Sequence, residues 1–187
     1  MQHSTGLILA GGAGRRVAQN DKGLLRWQGQ PLAAHVATRL RPQVNRLIIS
    51  CNRNRAFYAT LAEDTVTDTR RDYQGPLAGL EAAIPLIDGE FVVVVPCDTP
   101  LLPLDLAQRL LAPMAATGDR AVDISYAHDG ERGHYLCAAI RTTILPTVTA
   151  YLEEGQRAVR HWYAQHRVAV IDFSDEKQCF ANYNRAE

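Results

Sequence analysis

The sequence has no surplus of charge of either sign. Its 20 Lys and Arg residues are matched by 20 Asp and Glu residues, so the formal net charge is zero with histidine neutral. A general nucleic-acid binder usually carries a basic surplus that is attracted to the phosphate backbone. We therefore predict no nucleic-acid partner, and any anion binding must come from a local arrangement of residues.

Long apolar runs and a secretory leader are also missing. No run approaches the roughly 20 apolar residues that a membrane-spanning helix needs. The first residues, Met1–Thr5, lack the basic and apolar regions of a signal peptide. We expect a cytoplasmic protein that does not associate with membranes.

Cysteine is scarce and widely spaced. The four cysteines are Cys51, Cys97, Cys137 and Cys179, and no two form a Cys-x-x-Cys pair. This spacing argues against a zinc ribbon or a dithiol redox motif. Reduced, partly buried thiols are expected.

What the chain does have is the composition of an ordinary globular domain. Its 187 residues are 47% hydrophobic and 21% charged. These values exclude disorder of the whole chain, and the length allows a sizeable core. We predict a single domain over residues 1–187.

Short β-like runs alternate with amphipathic stretches along the chain. The predicted strands are 5–10, 45–51, 91–95, 121–127, 135–141 and 168–173, and the predicted helices are 31–40, 77–87, 103–114, 142–153 and 156–166. Strand, loop and helix in succession indicate an α/β fold with a mostly parallel sheet and right-handed crossovers. The changed rhythm after residue 121 predicts one three-layer domain with an antiparallel element at one edge of the sheet.

A glycine-rich loop follows the first predicted strand. Leu9-Ala10-Gly11-Gly12 continues through a third glycine to Arg15 and Arg16, and Lys22 comes soon after. Glycines let the backbone approach a ligand closely, and successive N–H groups before a helix bind anions. The loop is neither a Walker motif, which needs Ser or Thr after the lysine, nor a dinucleotide fingerprint, which needs a further glycine. A polyphosphate site is predicted, against the alternative of a plain strand-to-helix turn.

Asp98 follows the run Phe91–Val95, which has the β-branched composition of a central buried strand. Ligands of open α/β sheets bind outside the carboxyl ends of the strands. A carboxylate there can hold Mg²⁺ against phosphate oxygens, although an Asp in this sequence could also cap a turn.

Asp68 follows a short β-like run, Thr65–Thr67. One carboxylate can accept hydrogen bonds from both N1–H and the N2 amine of guanine, whereas cytosine offers only its exocyclic amine. A pocket Asp therefore favours guanine, and a solvated turn is the alternative role. Gly75 and Gly79 flank a predicted helix start at which backbone N–H groups could face a ligand.

Taken together, these motifs resemble the molybdenum cofactor guanylyltransferases. The resemblance runs from Gly6 to Asn184 and rests on LAGGAGRR, DKGLL, QGQPL, DYQGPLAG, PCDTPLLP, HDGER and the tail IDFSDEKQCFANYN. It implies a Rossmann-like nucleotidyltransferase domain. It also implies transfer of GMP from Mg-GTP to the terminal phosphate of molybdopterin, with release of pyrophosphate.

The resemblance also implies roles for individual residues. Its nucleotide-binding positions are Leu9, Ala10, Gly11, Gly12, Lys22, Ser50, Asp68, Gly75, Gly79 and Asp98; its catalytic positions are Arg16, Lys22 and Asp98; Asp98 would bind Mg²⁺; and Asn182 and Asn184 would stand near the metal or the pterin. Relatives can carry Asn where this chain has Ser50. The hydroxyl can still hydrogen-bond, with a shorter reach.

Three alternatives remain at this point. A related nucleotidyltransferase could use CTP or a sugar phosphate acceptor, a non-catalytic domain could merely bind a nucleotide, and a nicotinamide oxidoreductase is disfavoured by the missing glycine. GTP and molybdopterin are the expected substrates. We also expect a monomer that makes transient contacts with molybdoenzymes or with other proteins of cofactor biosynthesis.

Overall fold

The computed structural model describes residues 3–11, 21–72, 74–116, 118 and 121–183. The strands are β1 (Ser4–Leu9), β2 (Arg26–Trp27), β3 (Gln30–Pro31), β4 (Arg46–Ser50), β5 (Asp64–Val66), β6 (Phe91–Pro96), β7 (Ile124–His128), β8 (Gly133–Arg141) and β9 (Val168–Asp172). The α-helices are α1 (Leu32–Leu40), α2 (Arg55–Tyr58), α3 (Pro76–Ala83), α4 (Leu106–Leu111), α5 (Pro146–Glu153) and α6 (Val159–Tyr163). Across these described ranges, no helix is both long and apolar enough to cross a membrane.

Seven strands form one sheet in the order β5-β4-β1-β6-β8-β7-β9. β5, β4, β1 and β6 are parallel neighbours, β8 runs antiparallel to both β6 and β7, and β9 is parallel to β7. The predicted α/β fold with a mostly parallel sheet is confirmed. Its antiparallel element is the single strand β8, which lies between β6 and β7, and β9 extends the sheet beyond β7.

Two buried clusters make the domain three layers thick. Ile8, Val93 and Val95 pack on one face with α1 and α4, whereas Leu7 and Val94 pack on the other with α3, α5 and α6. Successive side chains of a strand point to opposite faces. The uninterrupted valine run of β6 is therefore explained by its place in the middle of the sheet, covered on both sides.

Proline shapes the helix boundaries. The predicted helix 77–87 is α-helical only to Ala83, and a 3-10 helix, Ile84–Leu86, follows it. Pro85 has no N–H to donate within a helix, which accounts for the early end of the α-helix. The predicted helices 103–114 and 156–166 are likewise shorter, at α4 and α6.

Several small elements lie outside the predicted pattern. Among them are the β2–β3 pair, the single turn of α2, the 3-10 helix Lys22–Leu24 and the 3-10 segment Ser174–Phe180 near the end of the described chain. Each is too short to show a hydrophobic period.

The carboxyl ends of the parallel strands are joined by backbone hydrogen bonds. Ala10 N–H donates to the Ser50 carbonyl at 2.8 Å, and Cys97 N–H donates to the Leu9 carbonyl at 3.2 Å. Cys51 N–H donates to the Val66 carbonyl at 2.8 Å. The residues that follow these four strands are thereby held side by side at one edge, where open α/β sheets bind ligands.

Candidate active site

A lysine and an aspartate from distant parts of the chain meet at this edge. Lys22 Nζ lies 3.2 Å from Asp98 Oδ2, across 76 positions of sequence. Asp98 follows β6 and only 6% of its surface is exposed, whereas the Lys22 side chain is 34% exposed. The buried carboxylate thus has a cationic partner whose head can still reach a ligand.

Asp21 fixes the short 3-10 helix that carries Lys22. Its Oδ1 accepts from Gly23 N–H at 3.1 Å and from the Tyr58 hydroxyl at 2.6 Å, and its Oδ2 accepts from Asn54 Nδ2 at 3.0 Å. Burial and the hydrogen bond to Asp21 both raise the pKa of Tyr58 well above its ordinary value. A Cβ at Gly23 would stand 2.3 Å from the Tyr58 hydroxyl oxygen, so a larger residue does not fit there.

Asn52 connects the glycine loop to Asp68. Its Nδ2 donates to the Gly11 carbonyl at 3.0 Å and to Asp68 Oδ2 at 2.8 Å, and its Oδ1 accepts from Asp68 N–H at 3.0 Å. Sequence reasoning missed this residue, because Asn52 stands in the polar run Asn52–Arg55 that looks like an ordinary turn.

The Asp68 carboxylate is half-buried and only partly satisfied. Among the described residues, neither its Oδ1 nor the buried Ser50 hydroxyl makes a well-aligned hydrogen bond, although the hydroxyl is close enough to Asp68 to influence its pKa. Burial raises the pKa of Asp68, while the nearby Asn52 amide and Ser50 hydroxyl act against that rise. A buried polar atom without a partner is costly, so Oδ1 is suited to accept from a ligand donor.

Gly79 brings helix α3 against the ends of β1 and β4. A Cβ at Gly79 would stand 2.6 Å from Ser50 Oγ and 3.0 Å from Leu9 Cδ2. Gly75, just before α3, has φ +88° and ψ −174°, a conformation that is essentially restricted to glycine. Nothing lies within 4 Å of a Cβ built on Gly75, so its backbone, and not its surroundings, requires glycine.

The end of the described chain folds back onto Asp98. Tyr183 N–H donates to the Asp98 carbonyl at 2.9 Å, and the Thr99 hydroxyl donates to Asn182 Oδ1 at 3.2 Å. The ring of Tyr183 lies 5.1 Å from that of Trp27. These contacts bring Asn182 beside Asp98.

The predicted site residues fall into two neighbouring groups. The first is Leu9, Ala10, Gly11, Ser50, Asp68 and Gly79, and the second is Lys22, Asp98 and Asn182. Two buried thiols follow β4 and β6 at the same sheet edge: burial raises the pKa of Cys51 to about 11, with the charges of Asp21 and Asp68 adding to the rise. Burial also raises the pKa of Cys97, next to Asp98 and Asp21. Gly12, Arg16 and Asn184 lie outside the described residues.

The HDGER motif is a turn between β7 and β8, organised by Asp129. The buried Asp129 carboxylate accepts from Glu131 N–H at 2.9 Å and Arg132 N–H at 2.7 Å, and it lies 2.7 Å from His134 Nε2. Burial alone would raise the pKa of Asp129, but these partners outweigh burial and hold it well below its usual value. The His134 ring stacks on Phe180 from the tail.

All four cysteines are free thiols, and three of them are buried. Over the described ranges, no cluster of three or more His, Cys, Asp or Glu side chains could hold a metal ion. Mg²⁺ commonly binds through one or two carboxylates together with substrate phosphates. A lone buried carboxylate such as Asp98, beside Lys22 at the sheet edge, fits that mode and not a cage built only from protein ligands.

Comparison with known proteins identifies the family. Residues 6–170 match the family model described as the MobA-like NTP transferase domain. The chain is 39% identical over 181 residues to the molybdenum cofactor guanylyltransferase of Shewanella sediminis, a match that covers 97% of this chain and 91% of the relative. The chain belongs to this family of nucleotidyltransferases.

A second relative and a solved structure extend the comparison. The molybdenum cofactor guanylyltransferase of Shewanella piezotolerans is 38% identical over 97% of this chain and 87% of its own length. The crystal structure of molybdopterin-guanine dinucleotide biosynthesis protein A from Archaeoglobus fulgidus superposes with a TM-score of 0.75. That match covers 96% of this chain and 92% of the other at 19% identity, so it supports the fold alone. The predicted family and enzyme class are confirmed.

Proposed function

We propose that this enzyme transfers GMP from GTP to the terminal phosphate of molybdopterin and releases pyrophosphate. The observation that carries the proposal is the pairing of two features at one sheet edge. These are the Lys22–Asp98 pair, 3.2 Å apart, and the half-buried Asp68 carboxylate with an oxygen that lacks a partner among the described residues. The Lys22–Asp98 pair is suited to phosphate chemistry. The Asp68 carboxylate is suited to a nucleobase with adjacent N–H donors.

Asp68 is the proposed reader of guanine. Its Oδ1 and the remaining lone pair of Oδ2 would accept from N1–H and the N2 amine of the base. Ser50 and Gly79 would line the same pocket, with Gly79 leaving room at the ends of β1 and β4. The main chain of Leu9, Ala10 and Gly11 would hold the nucleotide.

The chemical step needs charge stabilisation more than a general base. An oxygen of the acceptor phosphate, already anionic, forms a bond to the α-phosphorus, and the bond from that phosphorus to the bridging oxygen breaks. The electron pair leaves with pyrophosphate. Lys22 would hold phosphate oxygens as this charge develops, and positioning and electrostatics dominate such reactions.

Asp98 is the proposed ligand for Mg²⁺. The ion, when bound, would neutralise phosphate charge and help to orient the triphosphate. The Asp98 carboxylate is buried and held by Lys22 Nζ, so its position is set before any ligand arrives.

The remaining roles stay predictions. Gly12 and Arg16 would line the triphosphate path, Gly75 would shape the pocket, and Asn182 and Asn184 would act on the metal or pterin side. We further propose one domain over residues 1–187, a cytoplasmic monomer, and transient contacts with molybdoenzymes or other proteins of cofactor biosynthesis.

The test is a transfer assay with α-phosphate-labelled GTP, Mg²⁺ and molybdopterin. We expect label in a guanine dinucleotide product and one pyrophosphate for each transfer. Labelled CTP in parallel tests the cytidylyl alternative, and a sugar phosphate in place of molybdopterin tests the other acceptor. Transfer from CTP in preference to GTP, or nucleotide binding without any transfer, would overturn the proposal.

A further inference from the structure

Asn52 occupies a distinctive place in the sheet. It follows β4, which lies between β1 and β5 in the strand order. The glycine loop follows β1 and Asp68 follows β5, so the two are separated by the width of the middle strand. Asn52 is the described side chain that hydrogen-bonds to both sides, to Gly11 and to Asp68.

The chemistry of the contacts fixes the orientation of the amide. The Gly11 carbonyl and Asp68 Oδ2 are acceptors, so both must face Nδ2, whereas Asp68 N–H is a donor and must face Oδ1. Both amide hydrogens are therefore used, and Asp68 is held by its main chain and its side chain at once.

The two hydrogen bonds between Asn52 and Asp68 determine which carboxylate oxygen remains for a ligand. Oδ2 is engaged by Asn52, while Oδ1 has no partner among the described residues. A Cβ at Gly11 would stand 3.0 Å from Asn52 Nδ2, so the glycine allows the amide to sit close against the loop.

We infer that Asn52 is a positioning residue that sets base selectivity by holding the Asp68 carboxylate at a fixed place relative to the nucleotide loop. This inference rests on the proposed function, since it assumes that Asp68 reads guanine. Asn52 itself need not touch the nucleotide.

The experiment compares GTP with ITP, which lacks only the N2 amine, each with Mg²⁺. Dissociation constants are measured for the wild type, Asn52→Ala, Asn52→Asp, Asp68→Asn and the double variant Asn52→Ala with Asp68→Asn. A hydrogen bond to a charged group corresponds to a factor of roughly 10 to 100 in affinity. We expect the wild type to prefer GTP over ITP by about this factor and the Asn52 variants to lose most of that preference.

Asn52→Asp covers the case in which the alanine variant does not fold, because it keeps the shape while turning donors into acceptors. Its new carboxylate would face both the Gly11 carbonyl and Asp68 Oδ2. Asn45→Ala is the matched control: Asn45 Oδ1 accepts from Ser4 N–H at 3.0 Å, at the opposite end of β1 and β4. Asn45→Ala should leave the ratio of the GTP and ITP dissociation constants unchanged, even if its melting temperature falls.

The outcomes separate the two proposals. If the wild type itself binds GTP and ITP equally, guanine reading by Asp68 is wrong. Suppose instead that the wild type prefers GTP, and that the Asn52 variants keep the wild-type ratio of GTP to ITP dissociation constants or bind both nucleotides more weakly by the same factor. The positioning role is then wrong and the proposed function stands. In the Asp68→Asn background, the Asn52→Ala change should have no further effect on the ratio, and an undiminished effect would contradict the inference.

Discussion

Lys22 Nζ and Asp98 Oδ2 stand 3.2 Å apart, although one residue precedes the β2–β3 pair and the other follows β6. The carboxylate is buried and the lysine is its partly exposed partner. Loss of either partner should therefore have different effects on stability and similar effects on catalysis.

Lys22→Ala and Asp98→Asn should each lower kcat/KM for transfer by about 10²–10³, the usual cost of losing one group that stabilises developing charge. Lys22→Ala should also lower the melting temperature, because it leaves a buried carboxylate without this cation. Asp98→Asn should not lower it in the same way. Steady-state pyrophosphate release and thermal unfolding measure the two effects.

Arg41→Ala is the control for that pair of variants. Arg41 pairs with Glu63, and both side chains are close to half exposed, 47% and 46%. A surface ion pair contributes about 0–1 kcal/mol. Activity in this variant should match the wild type, and wild-type activity in Lys22→Ala or Asp98→Asn would contradict the assignment of that residue.

Gly79→Ala should narrow the proposed nucleotide pocket on the side formed by α3. Its new Cβ would meet Ser50 Oγ at 2.6 Å and Leu9 Cδ2 at 3.0 Å. Overpacking of this kind costs about 1–3 kcal/mol of stability. We expect weaker GTP binding by calorimetry, with partial recovery when Ser50→Ala removes the nearest atom. Unchanged GTP affinity in Gly79→Ala would show that the helix start is not part of the nucleotide pocket.

The α/β architecture and the Asp98 half of this site could be predicted from the sequence. Asp98 could be predicted because a buried β-branched strand ends next to it, and the sheet edge then determines its position. The contact of Asp98 with Lys22 could not, since it depends on how the segment around Asp21 packs against Tyr58. The role of Asn52 could not be predicted for a similar reason, because it depends on β4 lying between β1 and β5 in the sheet.

The pH dependence of GTP binding should follow Asp68. Burial raises the pKa of this carboxyl. Guanine needs the ionised form as acceptor, so GTP affinity should fall as the pH decreases through that raised pKa, at a higher pH than an ordinary aspartate would give. Asp68→Asn should bind GTP weakly and remove this pH dependence. A wild-type affinity that is flat down to the ordinary Asp pKa would contradict the assignment.

The raised pKa of Asp68 also affects the stability of the protein without nucleotide. A raised carboxyl pKa means that the folded state binds its proton more tightly than the unfolded state does. Its contribution therefore disfavours folding above the folded-state pKa and disappears as the pH falls below the unfolded value. Asp68→Asn should leave the melting temperature at neutral pH unchanged or higher, as measured without nucleotide.

Asp129 should behave in the opposite way. Its pKa is lowered, because the Arg132 and Glu131 N–H groups and His134 outweigh burial. Its stabilising contribution is present above the ordinary carboxyl pKa and is lost as the pH falls through the lowered one. Asp129→Ala leaves two N–H donors of the turn without this acceptor, at a cost of about 1–3 kcal/mol. Urea unfolding at neutral pH measures the loss, and an unchanged midpoint would show that water replaces the carboxylate.

In the proposed function, one sheet edge selects GTP and holds it with Mg²⁺. The most direct measurement is a melting-temperature panel with GTP, CTP, ATP and UTP, each with Mg²⁺ and with a chelator. A ligand at 100 times its dissociation constant adds about 2.7 kcal/mol, which corresponds to a rise of roughly 5–10 °C for a chain of this size. We expect that rise for GTP with Mg²⁺, a smaller one with the chelator, and little for the other nucleotides. An equal or larger rise with CTP would contradict it.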